Sequence, residues 1–220
     1  MSLAESPQNP WELLRCDAWS GHDAIRLVVH GRPQGLVPAC VTDFVDRLQR
    51  RRKAPVDLEV LTAEHHPAAS SNSLWLIPLL LFPGTHVLLD LPAIRRRLIQ
   101  SYSRVTLLPF LGAWPAWWTL VSQDLEQARF GPNTTLIHHQ LRSGVADRFL
   151  WSLSRRLGCP MTSFDDWPDY RARHPDASPF PLVLAPNRMS AEMTPPSVTA
   201  PLLERPLLRD GLIDLLAALP

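Results

Sequence analysis

The apolar residues of this chain switch repeatedly between two spacings, and that alternation restricts the fold more than any other feature. Short apolar runs over 25–30, 56–63, 74–82 and 105–111 read as buried strands. Between and after them come stripes with helical spacing. Val41, Phe44, Val45 and Leu48 recur at i, i+3, i+4 and i+7, with Asp43, Asp46, Arg47 and Arg50 on the other face. Val87, Leu91, Ile94 and Leu98 form a second stripe, with Pro92 near its first turn, and a tryptophan-rich helix over 114–128 follows. The order β-α-β-β-α-β-α predicts an α/β fold with a mostly parallel sheet between helices.

The second half of the chain repeats this order faintly. Leu27-Val28-Val29-His30 resembles Leu136-Ile137-His138-His139, and each is followed by a turn with glycine (Gly35, Gly144) and a helical stripe, here Val145, Phe149, Leu153 and Leu157. Leu79 to Pro83 resembles Leu182 to Pro186, and Thr106 to Leu111 resembles Val198 to Leu203. Each half ends in an apolar helix. Matches in one order predict a duplicated unit: a lead-in over 1–24, a first half over 25–128 and a degenerate second half over 129–220. Each half is expected to hold a small mostly parallel sheet flanked by helices.

Hydrophobic residues make up 45% and charged residues 20%, enough for a sizeable core. The 23 prolines fall at turn positions such as Pro33, Pro55 and Pro83, so they act as stops between short elements. A net charge of +1 gives no global field toward nucleic acid or an anionic membrane. Nearly all the positive charge is arginine, Lys53 being the one lysine. The three cysteines, Cys16, Cys40 and Cys159, are scattered, form no CxxC and suit a reducing compartment. The first ten residues lack a signal-peptide pattern, and the longest apolar run is far short of the roughly 20 residues that span a bilayer. The expectation is a cytoplasmic protein, monomer or homodimer, with no nucleic-acid or membrane partner.

His30 and His86 lie just past two of the apolar runs, and Glu64 lies past a third. In an open parallel sheet, ligands bind outside the carboxyl ends of the strands. Two imidazoles and a carboxylate there would suit a divalent transition metal, or would accept protons from a ligand. Spacing alone leaves equally open that these are polar residues where strands meet loops. His65 and His66 adjoin Glu64, and as neighbours at most one faces its site. His139 falls opposite His30, but Met189 falls opposite His86, so the second half reads as a remnant and one site is expected. The loop His30-Gly31-Arg32-Pro33-Gln34-Gly35 leads from strand to helix and could hold an anion on its backbone N–H groups, though it matches neither standard phosphate motif. Arg32 and Arg95-Arg96-Arg97 could meet substrate carboxylates. A charged helix face is the default reading for that triplet, a solvated helix end for Arg50-Arg51-Arg52-Lys53, and core packing for Trp114, Trp117 and Trp118.

With these residues in view, the chain resembles the class II sirohydrochlorin cobalt and iron chelatases of cobalamin and siroheme synthesis. The specific part is Ile77-Pro78-Leu79-Leu80-Leu81-Phe82-Pro83-Gly84-Thr85-His86-Val87 followed by Asp90-Leu91-Pro92. Supporting matches are the strand leading to His30-Gly31-Arg32, Glu59-Val60 leading to Glu64, and Pro109-Phe110-Leu111-Gly112 with a second copy at Pro201-Leu202-Leu203-Glu204. The resemblance implies a cleft between the halves and ATP-independent insertion of Co2+ or Fe2+ into a sirohydrochlorin-like tetrapyrrole. It makes His30 and His86 the metal-binding and catalytic pair with Glu64 assisting, and Gly31, Arg32 and Gly84 contacts to the macrocycle. No tightly bound cofactor is implied; the divalent metal (Co2+, Fe2+ or Ni2+) is a substrate. Two departures stand out. Arg32 replaces the family's usual serine, and the link over 65–73 is too short for the family's helix. They keep open a non-catalytic metal- or tetrapyrrole-binding protein derived from a chelatase.

Overall fold

In the computed structural model, which describes residues 23–64, 66, 72–127, 131–141, 144–193 and 200–220, the chain builds two parallel sheets. The first half contains β1 (Ala24–Val29), α1 (Ala39–Arg51), β2 (Val56–Val60), β3 (Ser73–Pro78), α2 (Leu91–Leu98), β4 (Arg104–Leu107) and α3 (Pro115–Gln127). Its strands run in the order β2-β1-β3-β4, every pairing parallel. The second half contains β5 (Thr134–His138), α4 (Val145–Leu157), β6 (Met161–Ser163), α5 (Trp167–Arg173), β7 (Ser178–Pro181), α6 (Arg188–Glu192) and α7 (Pro206–Ala217), with parallel order β6-β5-β7. The α/β class and the parallel sheets are as the alternation predicts.

The strands are shorter than their apolar runs. β3 stops at Pro78, and 79–85 is a loop that stays apolar because it is packed down: Leu79 and Leu81 are buried, and Leu79 N–H still donates to Val28 O. β2 stops at Val60 and β4 at Leu107. The run over 182–186 likewise forms a loop after β7, and β6 and α5 are additions that its weak periodicity hid. No fourth strand joins the second sheet among the described residues. The described part of the expected copy of β4 ends in a 3-10 turn, Leu202–Glu204, in place of a strand; residues 198 and 199 of that copy, residues 1–22 of the lead-in with Cys16, and most of the link, including His65, lie outside the described residues.

β1 is buried at all six positions and separates two cores. Ile25, Leu27 and Val29 face a large core that also contains Leu136, Leu153 and Phe180 of the second half. Ala24 and Val28 face a smaller one with Leu91 and Leu98 of α2. Trp114, Trp117 and Trp118 are buried in the large core, as expected. The terminal helices stitch the halves together. α7 packs on both α1 and α3, and Arg156 of α4 donates to Pro115 O at the start of α3. Gly211 permits the α3–α7 contact: a Cβ there would come within 2.8 Å of both Leu120 methyl carbons.

The basic run after α1 departs from the solvated reading. Arg51 pairs with exposed Asp214 of α7, and Arg52 is buried. Its guanidinium donates to the carbonyls of Leu216 (3.1 Å), Leu219 (2.7 Å), Pro220 (2.6 Å) and Asp23 (2.6 Å). A cation suits the end of α7, where carbonyls lack helical partners. Burial lowers its pKa to about 10, against a raising effect of Asp23, so the charge persists at neutral pH.

Candidate functional site

The carboxyl ends of the first-half strands share one rim because every pairing is parallel. His30 leaves β1 there, and its loop is pinned to the end of β2. Thr62 Oγ1 donates to Arg32 O (2.6 Å), and Arg32 N–H donates to Leu36 O (2.6 Å). Gly31 has φ +74°, and a Cβ on it would meet Val60 Cγ1 at 2.2 Å, so only glycine lets the loop descend this closely. Nδ1–H of His30 donates to Gly31 O (2.8 Å). That tautomer leaves the lone pair on Nε2.

His86 starts a π-helical turn, His86–Asp90, that runs directly into α2, with Leu91 N–H donating to His86 O. Pro92 accounts for the widening: in a continuous α-helix its ring would collide with the carbonyl four residues back. The turn places Asp90 Oδ2 2.5 Å from His86 Nδ1. A carboxylate on one ring nitrogen fixes the tautomer and raises the basicity of the other, an arrangement typical of metal-ligating histidines. Asp90 received no role from the sequence, although its i, i+4 spacing from His86 is a readable signal once the segment is helical.

The rings of His30 and His86 lie 4.8 Å apart, centroid to centroid, inclined at 77°. Two imidazoles about 2.1 Å from a common ion would place their centroids roughly 4.5–5.2 Å apart for angles between square and tetrahedral. The observed separation lies within that range. Glu64 sits exposed in the turn after β2. Among the described residues no three His, Cys, Asp or Glu side chains form a set able to hold a metal, so the geometry gathers a pair with its Asp90 support rather than a three-ligand site. Arg32 donates to Pro186 O (3.4 Å), reaching across to the second half. Gly84 has open space around its α-carbon.

The second half presents the same framework with different side chains. Leu79 donates to Val28 O and Leu182 to Ile137 O, so His139 occupies the register of His30. Met189, opposite His86, is buried in the small core of that half. Asn187 Nδ2 donates to His139 Nε2 (3.0 Å), occupying the nitrogen a metal would need. His138 is buried beside Phe82 and donates to His139 O. Burial lowers the pKa of His138, against smaller raising effects of the His139 carbonyl and Asp166. His139 is lowered by burial first, then by the nearby charges of His30 and His138. Both take up protons less readily in the fold than in an unfolded chain, which does so below about pH 6.5. This contribution is fully present above that value and is lost as pH falls toward the folded values. We expect the urea midpoint to drop between about pH 7 and pH 5, and His138→Phe to flatten that drop; an unchanged slope would show that His138 does not govern it.

The charged-face reading of the arginine triplet fails at Arg97, and a second buried cation appears at Arg26. Arg97 of the triplet pairs with Glu59, whose carboxylate is fully buried on β2, and His66 Nδ1 contacts the same Glu59 oxygen at 2.6 Å. Arg26, also fully buried, donates to Tyr102 Oη (3.0 Å) and pairs with Asp57 (3.3 Å). Cys40 is no nucleophile, since burial and then Glu204 push its thiol up to about 11.

No family model and no curated protein matches the chain in sequence. Solved structures do match in fold. The sirohydrochlorin chelatase of Bacillus subtilis subspecies spizizenii, solved in complex with cobalt, superposes with a TM-score of 0.58 at 16% identity, over 88% of this chain and 93% of that one. A multi-domain protein of Deinococcus radiodurans, with structural similarity to chelatases and two additional novel domains, gives 0.57 at 14% identity, over 90% of this chain and 55% of that one. The chain has a class II chelatase-like fold. No helix among the described residues is long and apolar enough to cross a membrane.

Proposed function

We propose that this protein inserts a divalent metal, Co2+ or Fe2+, into a sirohydrochlorin-like tetrapyrrole. The observation that carries this reading is the His30–His86 pair, with rings 4.8 Å apart and His86 backed by Asp90, at the carboxyl rim of a parallel sheet. His30 and His86 hold the ion and replace part of its water shell; the open side admits the macrocycle. Two pyrrole N–H protons leave as the metal enters, and Glu64, exposed on the same rim, accepts them toward solvent. Arg32, beside His30, faces the carboxylate arms of the substrate, and the loops of Gly31 and Gly84 bound the space for the ring. The chelatase-like fold and the cobalt complex of the Bacillus neighbour support the metal and substrate class.

Mixing the protein with Co2+ and sirohydrochlorin and following absorbance tests the reading. The expected result is metallation faster than the protein-free reaction, with the acceleration lost in His30→Ala. The two-ligand character of the site favours one competing reading, a non-catalytic carrier. Binding of both metal and tetrapyrrole without accelerated product would establish the carrier and overturn the enzyme. Binding of neither would remove both.

A further inference from the structure

The segments that carry His30, Glu64 and His86 converge on one buried group outside the site. Glu59, second from the end of β2, is 0% exposed. Its Oε1 accepts from Arg97 of α2, the helix that continues from the His86 turn, and lies 2.6 Å from His66 Nδ1, two residues beyond Glu64. Its Oε2 lies 3.7 Å from Arg26 of β1, the strand that ends at His30. Arg26 is fully buried, and the Arg97 and His66 side chains are partly exposed, 39% and 33%, so all three reach inward to the same carboxylate.

We infer that Glu59 is a positioning residue: one buried carboxylate that fixes the Glu64 turn and the His86 helix relative to the strand bearing His30. The inference rests on the chelatase reading for its purpose, but its structural content is separate. A buried carboxylate cannot lose its cations without cost, so each partner is constrained to return to it. The hydrophobic contacts of α2 would hold the helix on the sheet, but they are non-directional and would tolerate sliding. The Arg97 contact fixes the helix along its axis. In the turn after β2, Leu61 packs on the small core and Thr62 bonds the His30 loop, but beyond them Ala63 is half-buried and Glu64 is exposed. Past Glu64, the His66 contact returns the chain to the buried carboxylate.

Hydrogen exchange on the free protein, with Co2+ titration as a second readout, tests this. Glu59→Gln keeps the shape and one acceptor but removes the charge; His66→Gln, at the partly exposed end, leaves the core intact and serves if Glu59→Gln fails to fold. The expected result for Glu59→Gln is about tenfold faster exchange both in the segment around Glu64 and in 86–98, with α7 unaffected, and about tenfold weaker Co2+ binding. His66→Gln should loosen the Glu64 segment alone. Unchanged exchange at both segments in a folded Glu59→Gln, or unchanged exchange around Glu64 in His66→Gln, overturns the inference. So does faster exchange with Co2+ affinity equal to the parent's. If the parent itself binds no Co2+, the proposed function fails instead, and the exchange results alone decide the role of Glu59.

Discussion

Replacing His86 with alanine is expected to weaken Co2+ binding by about two orders of magnitude and to abolish accelerated metal insertion. The fold should be unaffected, because the ring is half-exposed and starts a turn whose backbone bonds do not involve it. The size of the effect follows from the ligand count. With two imidazoles and no third protein donor gathered among the described residues, losing one leaves a single monodentate contact that water can displace. Asp90→Asn separates support from ligation. It leaves both imidazoles in place but removes the charge that orients and polarises His86, so a loss of roughly 10–100-fold is expected. Titration of Co2+ followed by its visible absorption reads both variants. Parent-like affinity in His86→Ala would mean that the ion, if bound, sits elsewhere.

The largest effect on stability is expected at Arg52. Arg52→Met keeps most of the side-chain volume but removes four hydrogen bonds to carbonyls, at the end of α7 and at the start of the first strand. Bonds to a charged donor contribute about 1.5–3 kcal/mol each, but they are not additive, and some of the freed carbonyls will find water. A net loss of about 3 kcal/mol is therefore expected. At roughly 2–4 °C per kcal/mol for a chain of this size, that lowers the melting temperature by about 10 °C. Calorimetry checks it, with Arg51→Met as the comparison. Arg51 makes an exposed ion pair with Asp214, a class of contact that contributes at most about 1 kcal/mol. Equal effects at the two positions would show that charge near the helix, not the buried clasp, matters.

The contrast between Arg51 and Arg52 also explains what sequence reading can and cannot reach. Periodicity located α1, α2 and α4, because an amphipathic stripe is a local property. It also placed His30 at the end of a strand and, through the repeat, matched His139 to it. It overextended β3 because a buried loop and a buried strand are equally apolar; only the ladder register separates them. The apposition of His30 and His86 depends on β1 and β3 being neighbours, which the strand order β2-β1-β3-β4 provides. The inclination of the rings and the Asp90 contact depend on a π-helical turn that no hydrophobic pattern encodes. The roles of Arg26, Glu59, Arg97 and Arg52 were least legible. A charged residue looks the same in a sequence whether its partner is solvent or a residue far along the chain, and each of these finds its partner only after folding.

The packing of α7 on α1 has a consequence for how the protein is made. Arg51 and Asp214 are separated by 163 positions, and the apolar side of α7, with Leu208, Leu212, Ile213 and Leu216, covers the first half only once residues 206–217 have left the ribosome. Until then the nascent first half carries an uncovered apolar surface on α1, the kind of surface that invites association between incomplete chains. Docking must also close a loop of 163 positions, which places it late on the folding route. The two sheets can form in order of synthesis, but the seal on the first is contributed by the end of the second.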